Sequence, residues 1–166
     1  QVNFIRNAQD LSAAIPITFT IDAQPDCPRT ITWVLTHANI TAFTLVITGI
    51  TSGGRAITET FTEASGWSGE TSWAYARITQ IQLTARTGTG VGDTMNIGIG
   101  SKLGLSKLIF AVADVYKVKK NNSDYSGAGN VTLSTDYYTV DVSTGGAIVG
   151  GDDFTIYYQT DNNRVN

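Results

Sequence analysis

Apolar and polar residues alternate with a period of two through most of this chain, and this pattern constrains the fold more than any other feature. In residues 44–49, Leu45 and Ile47 share one face, while Thr44, Val46 and Thr48 share the other. Successive side chains of a β-strand point to opposite faces, so the segment is predicted to be a half-buried strand. The same alternation occurs in residues 56–62, 77–86, 92–100 and 154–158. In 77–86 it places Ile81, Leu83 and Ala85 on the apolar face.

Further strands are predicted within 16–22, 30–35, 108–120 and 137–142, with Gly, Asn, Asp or Pro in the intervening segments. Strands that recur about every ten to fifteen residues with such turns are typical of antiparallel sandwiches and barrels. The predicted fold class is therefore all-β, an antiparallel β-sandwich or β-barrel-like domain with little helix. Residues 7–15 could form one or two helical turns ended by Pro16, and residues 68–78 are a weaker helical segment.

A chain of 166 residues is expected to form one domain, 1–166, with a minor subdivision near 126–130 as the alternative. Charged residues make up only 15% of the sequence, so threonine and other neutral polar residues must cover much of the surface. The formal charge of -3 has the wrong sign for a general nucleic-acid binder. No apolar run approaches the roughly 20 residues that span a bilayer. The charge and the absence of such a run together indicate that neither nucleic acid nor a membrane is an expected partner.

Two glycine-rich segments are candidates for a phosphate-binding or dinucleotide-binding loop. Both Gly53-Gly54-Arg55 and residues 88–93 are followed by a strand pattern instead of the helix that such sites require. The first also lacks the Lys-Ser/Thr pair of a P-loop. Both segments are therefore predicted to be turns, and no cofactor is expected.

The residues available for catalysis or metal binding are few. His37 is the single histidine and Cys27 the single cysteine, so a nucleophile–base pair or a zinc site is not recognisable. Asp152 and Asp153 follow two glycines, which favours a turn, with calcium binding or a carboxylate pair as the alternatives. The expectation is that the protein is not an enzyme and has no catalytic, cofactor-binding or metal site.

Aromatic residues offer candidate contact positions. Trp33 alternates with Ile31 and Leu35 and is predicted to lie in the core. Trp67, Trp73 and Tyr75 lie in a loop-like stretch, where they could form either a sugar-stacking platform or an anchor against another subunit. We favour the subunit contact.

The segment "TLVITGITSGGRAITETFT" (44–62), followed by "ARITQIQLTA" (76–85) and "GDTMNIGIG" (92–100), resembles structural proteins of tailed phages and prophages. Those proteins often have a strand, a glycine-rich turn and a "TET" strand in this order. The counterparts here are Thr48-Gly49, the turn at 52–54, Thr58-Glu59-Thr60, residues 77–81 and residues 96–100. The resemblance extends over roughly residues 30–160, and Ser-Gly-Gly-Arg replaces the usual Asp-Gly turn.

This resemblance implies a β-rich virion component on the capsid surface or in the tail, present in many copies and without catalytic residues. The leading hypothesis is a capsid decoration (cement) protein that forms a homo-oligomer and contacts the major capsid protein or another virion protein. A tail-tube, neck or fibre subunit is the first alternative. A carbohydrate-binding module that uses Trp67 and Trp73 is the alternative from another class, and an enzyme based on Asp152 and Asp153 is a third.

Overall fold

A computed structural model describes residues 4–107, 109, 114–125, 132–133, 139–141 and 153–160. The strands in the first half are β1 (Arg6–Asp10), β2 (Ile17–Thr18), β3 (Arg29–Thr36), β4 (Ala42–Ile50), β5 (Ala56–Glu63), β6 (Ser68–Glu70) and β7 (Arg77–Thr87). Those in the second half are β8 (Thr94–Gly104), β9 (Val115–Lys120), β10 (Ser123–Asp124), β11 (Thr132–Leu133), β12 (Thr139–Asp141) and β13 (Phe154–Tyr158). No helix in these residues is long and apolar enough to cross a membrane.

The strands form three antiparallel sheets. The largest has the order β11-β12-β8-β3-β6, and β1 pairs with the first half of β8 on the side where β12 pairs with its second half. The second sheet has the order β2-β7-β4-β5, and the third has the order β10-β9-β13. The first two pack against each other, which confirms the predicted all-β, antiparallel, sandwich-like fold.

The alternation in β4 and β5 is the one that the sequence predicts. Leu45 and Ile47 are fully buried, while Thr44, Val46 and Thr48 are half-buried on the opposite face. The two strands form a hairpin through residues 51–55, where Thr51 N–H donates to the Arg55 carbonyl. The expected turn at Ser52–Arg55 is therefore confirmed, as is the strand that follows it.

The pairing of β7 with β4 is irregular at Thr79 and at Thr84, and each irregularity shifts the alternation of side chains. Thr44 lies opposite Ala85 and Leu45 lies opposite Leu83, so Thr84 has no partner on β4. A residue inserted in this way reverses the facing of everything beyond it. Ala85 is consequently exposed on the outer face, and its predicted place on the apolar face is wrong.

The main core lies between the first two sheets and contains side chains from both. Trp33 on β3 is only 2% exposed and contacts Phe61 on β5, with ring centroids 4.2 Å apart. The predicted core position of Trp33 is confirmed.

A second apolar cluster lies against the small third sheet. Its buried members are Leu103, Leu105, Ile109, Val115 and Val118, and Phe154, Ile156 and Tyr158 of β13 pack onto it. The pairing of β9 with β13 joins the chain on both sides of the 126–130 segment, itself outside the described residues, where a minor subdivision was an option.

Neither segment predicted as helical forms a helix. Residues 6–10 form β1, which pairs with β8, and Ala8 has a φ of 45° where its N–H donates to Asn96 Oδ1. Residues 68–70 form β6 beside β3, and Tyr75 exchanges backbone hydrogen bonds with Arg29. Sheet pairing with distant residues overrides a local helical pattern, because short isolated helices are marginal in water.

Candidate contact surface

The outer face of the sheet β2-β7-β4-β5 carries almost only neutral side chains. We call it the threonine face. Its members on the three long strands are Ala42, Thr44, Val46, Thr48 and Ile50 of β4, Ala56, Thr58, Thr60 and Thr62 of β5, and Arg77, Gln80, Gln82, Ala85 and Thr87 of β7. Among the described residues at its paired strand positions, the single charged one is Arg77, which lies opposite Ile50 at one end.

Hydrogen bonds between neighbouring strands hold these side chains in place. The Oγ1 atoms of Thr44 and Thr62 are 3.3 Å apart, and those of Thr48 and Thr58 are 3.2 Å apart. Gln82 Nε2 donates to Thr18 Oγ1 at 2.9 Å. Such cross-strand pairs fix side-chain positions, so a partner would meet a surface that is already ordered.

A cleft of about 200 Å³ opens at the turn between β4 and β5, where the sandwich meets the end of β8. The Arg55 guanidinium lies over the Trp73 ring, with its carbon 5.1 Å from the ring centroid. Ser52 Oγ donates to the Leu105 carbonyl at 2.6 Å and ties the turn to the chain beyond β8. The residues that line the cleft are Thr51, Ser52, Gly53, Arg55, Trp73, Ala74, Gly104, Leu105 and Ser106.

Trp67 directly precedes β6, whereas Trp73 of the cleft follows that strand. The Trp67 carbonyl accepts the N–H of Leu35, at the end of β3, and its ring stacks on His37 with centroids 3.8 Å apart. Trp73 by contrast lies beside Arg55. The structure therefore separates Trp67 and Trp73, which we expected to act together, into two different places.

Tyr75 is a core residue and not a surface contact. It is fully buried, and its hydroxyl contacts the Ile47 carbonyl oxygen at 3.2 Å and Glu59 Oε1 at 3.1 Å. Burial raises the pKa of this phenol well above its usual range, and the adjacent Glu59 carboxylate raises it further. Its predicted role at a contact surface is wrong, because none of the ring reaches solvent.

Glu59 is a structural residue that the sequence reasoning did not single out. Its carboxylate accepts the backbone N–H groups of Ser72 and Trp73 as well as the Tyr75 hydroxyl. It therefore fixes the loop that carries Trp73 against β5. Its place between Thr58 and Thr60 in the strand pattern indicated only that it faces inward.

The candidate catalytic residues His37 and Cys27 lie in different settings. His37 is exposed and stacked on Trp67. Burial, with a contribution from the Asp26 charge, raises the pKa of the Cys27 thiol to about 11, so the nucleophilic thiolate is scarce at neutral pH.

Asp153 is exposed and its N–H donates to Asn121 Oδ1 at 2.8 Å, whereas Asp152 lies outside the described residues. Within the described part of the chain, no three His, Cys, Asp or Glu side chains are grouped so as to hold a metal ion.

Comparison with known proteins found no matching family model, no similar curated protein and no similar solved structure.

Proposed function

We propose that this chain is a non-enzymatic virion structural protein, a capsid decoration (cement) protein that stabilises a phage head through contacts repeated in many copies. The threonine face is the observation that carries the proposal. Charged residues are depleted in the buried centres of protein interfaces, and this face has one charge, at its end.

The physical reason is the cost of removing water from a surface. A buried charge without a partner is costly, whereas threonine methyl groups gain by burial and threonine hydroxyls can exchange water for a partner's hydrogen bonds. The hydroxyls of Thr44, Thr48, Thr58 and Thr62 are already positioned by their neighbours. Little side-chain entropy would therefore be lost when a partner binds.

The proposed location is the capsid surface of the virion. The proposed partners are other copies of this chain, in a homo-oligomer, and the major capsid protein. The sequence resemblance supports the same class and also includes the tail. A tail-tube, neck or fibre subunit would use the same face, and the identity of the co-purifying protein separates these locations.

Mass spectrometry of virions from the source of this sequence tests the proposal. We expect the chain in many copies together with a major capsid protein. Co-purification with tail proteins alone would replace the capsid location by the tail, and absence from purified virions would contradict the proposal.

A matched pair of variants tests the face itself. Thr48→Arg places a charge at the centre of the threonine face, while Thr155→Arg places the same charge on an exposed threonine of β13. Loss of particle binding in the first variant and not in the second supports the proposed contact. Equal binding of both folded variants would exclude this face as the contact.

The cleft at Arg55 and Trp73 favours a second candidate, a carbohydrate-binding module. Trp73 offers a partly exposed ring beside polar groups, an arrangement that suits sugar stacking. Trp67 would not share this site, because it lies at the other end of β6. Binding to polysaccharide that disappears in Trp73→Ala and persists in Trp67→Ala, in a chain absent from virions, would support this candidate over the first.

A further inference from the structure

The threonine face does not account for one feature of its sheet, the edge of β5 that faces away from β4. β5 pairs with β4 on one side, and no other described strand pairs with its other side. A free edge presents unpaired backbone N–H and C=O groups and favours addition of another strand. This edge is eight residues long, so it can form an extensive pairing.

The hydrogen bonds of the hairpin show which backbone groups point outward. In an antiparallel pair, hydrogen-bonded and non-hydrogen-bonded residue pairs alternate. Thr51 N–H donates to the Arg55 carbonyl, so the pairs two and four residues further along, Gly49–Ile57 and Ile47–Glu59, are also of the hydrogen-bonded kind.

The threonines of β5 lie in the other kind of pair. Thr58, Thr60 and Thr62 therefore direct their backbone N–H and C=O groups away from β4, toward the free edge. The Ile50 carbonyl accepts the N–H of Ala76, on the β7 side of β4, which agrees with this assignment.

From this edge we infer that a second copy of the chain adds to β5, with the two β5 strands antiparallel and Thr60 opposite Thr60. The inference deepens the proposed function, since it identifies one contact of the homo-oligomer. In this register Thr58 faces Thr62 of the second copy, which repeats the threonine pairing between β4 and β5. The threonine face then continues across both copies.

Charge selects this register over its neighbours. With Thr60 on the two-fold axis, Glu59 lies opposite Phe61 and Glu63 opposite Ile57, so no glutamate faces another directly. A shift of the axis to Glu59 places Glu59 opposite itself, and a shift to Phe61 places Glu59 opposite Glu63 twice. Like charges directly opposite each other destabilise a strand pair. An axis at Thr58 or Thr62 avoids this but pairs fewer residues of β5.

Light scattering on a size-exclusion column tests the contact. The wild-type chain should be a dimer or a multiple of one. Thr60→Pro removes the outward N–H and should give monomers, while Thr60→Val keeps that N–H and should remain dimeric. Proline is tolerated where an edge N–H faces solvent, so the monomer fold should survive. A wild-type chain that stays monomeric at high concentration would overturn the inference, as would a dimeric Thr60→Pro variant.

Cross-linking gives a readout that does not depend on the proline variant. Opposed hydrogen-bonded residues have Cα atoms about 5.5 Å apart, within the range that a disulfide spans. Mild oxidation should therefore link Cys27→Ser/Thr60→Cys into a covalent dimer, and Cys27→Ser/Thr155→Cys should stay unlinked. Absence of the first product, or equal amounts of both, would contradict the β5 pairing.

The two proposals fail separately. A dimer that cross-links at residue 60 but is absent from virions leaves the β5 pairing in place and contradicts the decoration function. A chain that is abundant in virions but monomeric and not cross-linked does the reverse.

Discussion

Tyr75 links the two sheets of the sandwich, with its buried hydroxyl bonded to one sheet and its backbone to the other. The oxygen lies within hydrogen-bond distance of the Ile47 carbonyl on β4 and of Glu59 on β5, while the Tyr75 backbone bonds with Arg29 at the start of β3. A single residue thus contacts three strands of two sheets. Its position in the chain, close to two tryptophans, predicted an exposed aromatic cluster, and only the fold reveals that the ring points inward.

Replacing Tyr75 by phenylalanine should lower the free energy of unfolding by about 1–2 kcal/mol, since a buried polar group would lose a partner. Urea unfolding followed by tryptophan fluorescence measures this change. Tyr116→Phe is the matched control, because Tyr116 is 65% exposed and should tolerate the change. Equal stability of the two variants would show that the hydroxyl contributes nothing.

The Cys27 thiol should be unreactive near neutral pH because its pKa is raised to about 11. The rate of alkylation by iodoacetamide should therefore reach half its maximum near pH 11 in the folded chain, and near the ordinary value of 9.0 in urea. The direction of this pKa shift also determines how the stability of the fold depends on pH. A thiol that ionises more easily when unfolded contributes stability below pH 9 that is lost as the pH rises toward 11. Matching alkylation profiles for folded and unfolded chains would contradict the assignment.

At the scale of single elements, β6 depends on a glycine. Trp33 of β3 lies over Gly69, and a Cβ there would overlap the indole ring. Gly69→Ala should therefore destabilise the fold by about 1–3 kcal/mol through overpacking. In Gly53→Ala the nearest atom to the new Cβ is 3.7 Å away, so this control should change stability little. Thermal unfolding of both variants gives the comparison, and equal midpoints would show that β6 moves to accept the methyl group.

Strands whose core-facing apolar residues recur at even spacing were predictable, and strands set by distant partners were not. β4, β5 and β8 follow from the sequence because such residues lie two or four positions apart in each: Leu45 and Ile47, Ile57 and Phe61, and Met95, Ile97 and Ile99. The irregularity at Thr84 leaves no mark on the alternation itself, so the exposure of Ala85 was missed. The strand Arg6–Asp10, at the start of the segment predicted as helical, was missed for a related reason, because pairing with β8 stabilises β1 from outside the segment.

For the molecule as a whole, the sequence indicated the composition of the candidate surface but not its position. Thr58, Thr60 and Thr62 repeat at every second position, which predicts a shared face. That β5 is an edge strand depends on the order β2-β7-β4-β5, which no local pattern specifies. The Arg55–Trp73 cleft was missed because it joins residues 18 positions apart across a turn and a loop.

The two apolar clusters should differ in stability. Four of the nine positions of β4 are buried, whereas two of the six in β9 and none of the five in β13 are. Regions with fewer buried apolar contacts open more readily, so backbone amides of β9 and β13 should exchange with deuterium at least about tenfold faster than those of β4.

Val118→Ala tests whether the clusters open independently. Val118 is a buried member of the cluster beside the third sheet, and its truncation should accelerate exchange in β9 and β13 further. Exchange in β4 should be unchanged, because its buried residues Leu45 and Ile47 belong to the other cluster. Equal acceleration of β4 would mean that the clusters unfold as one unit, in which case any contact at the β5 edge would stabilise the third sheet as strongly as the sandwich.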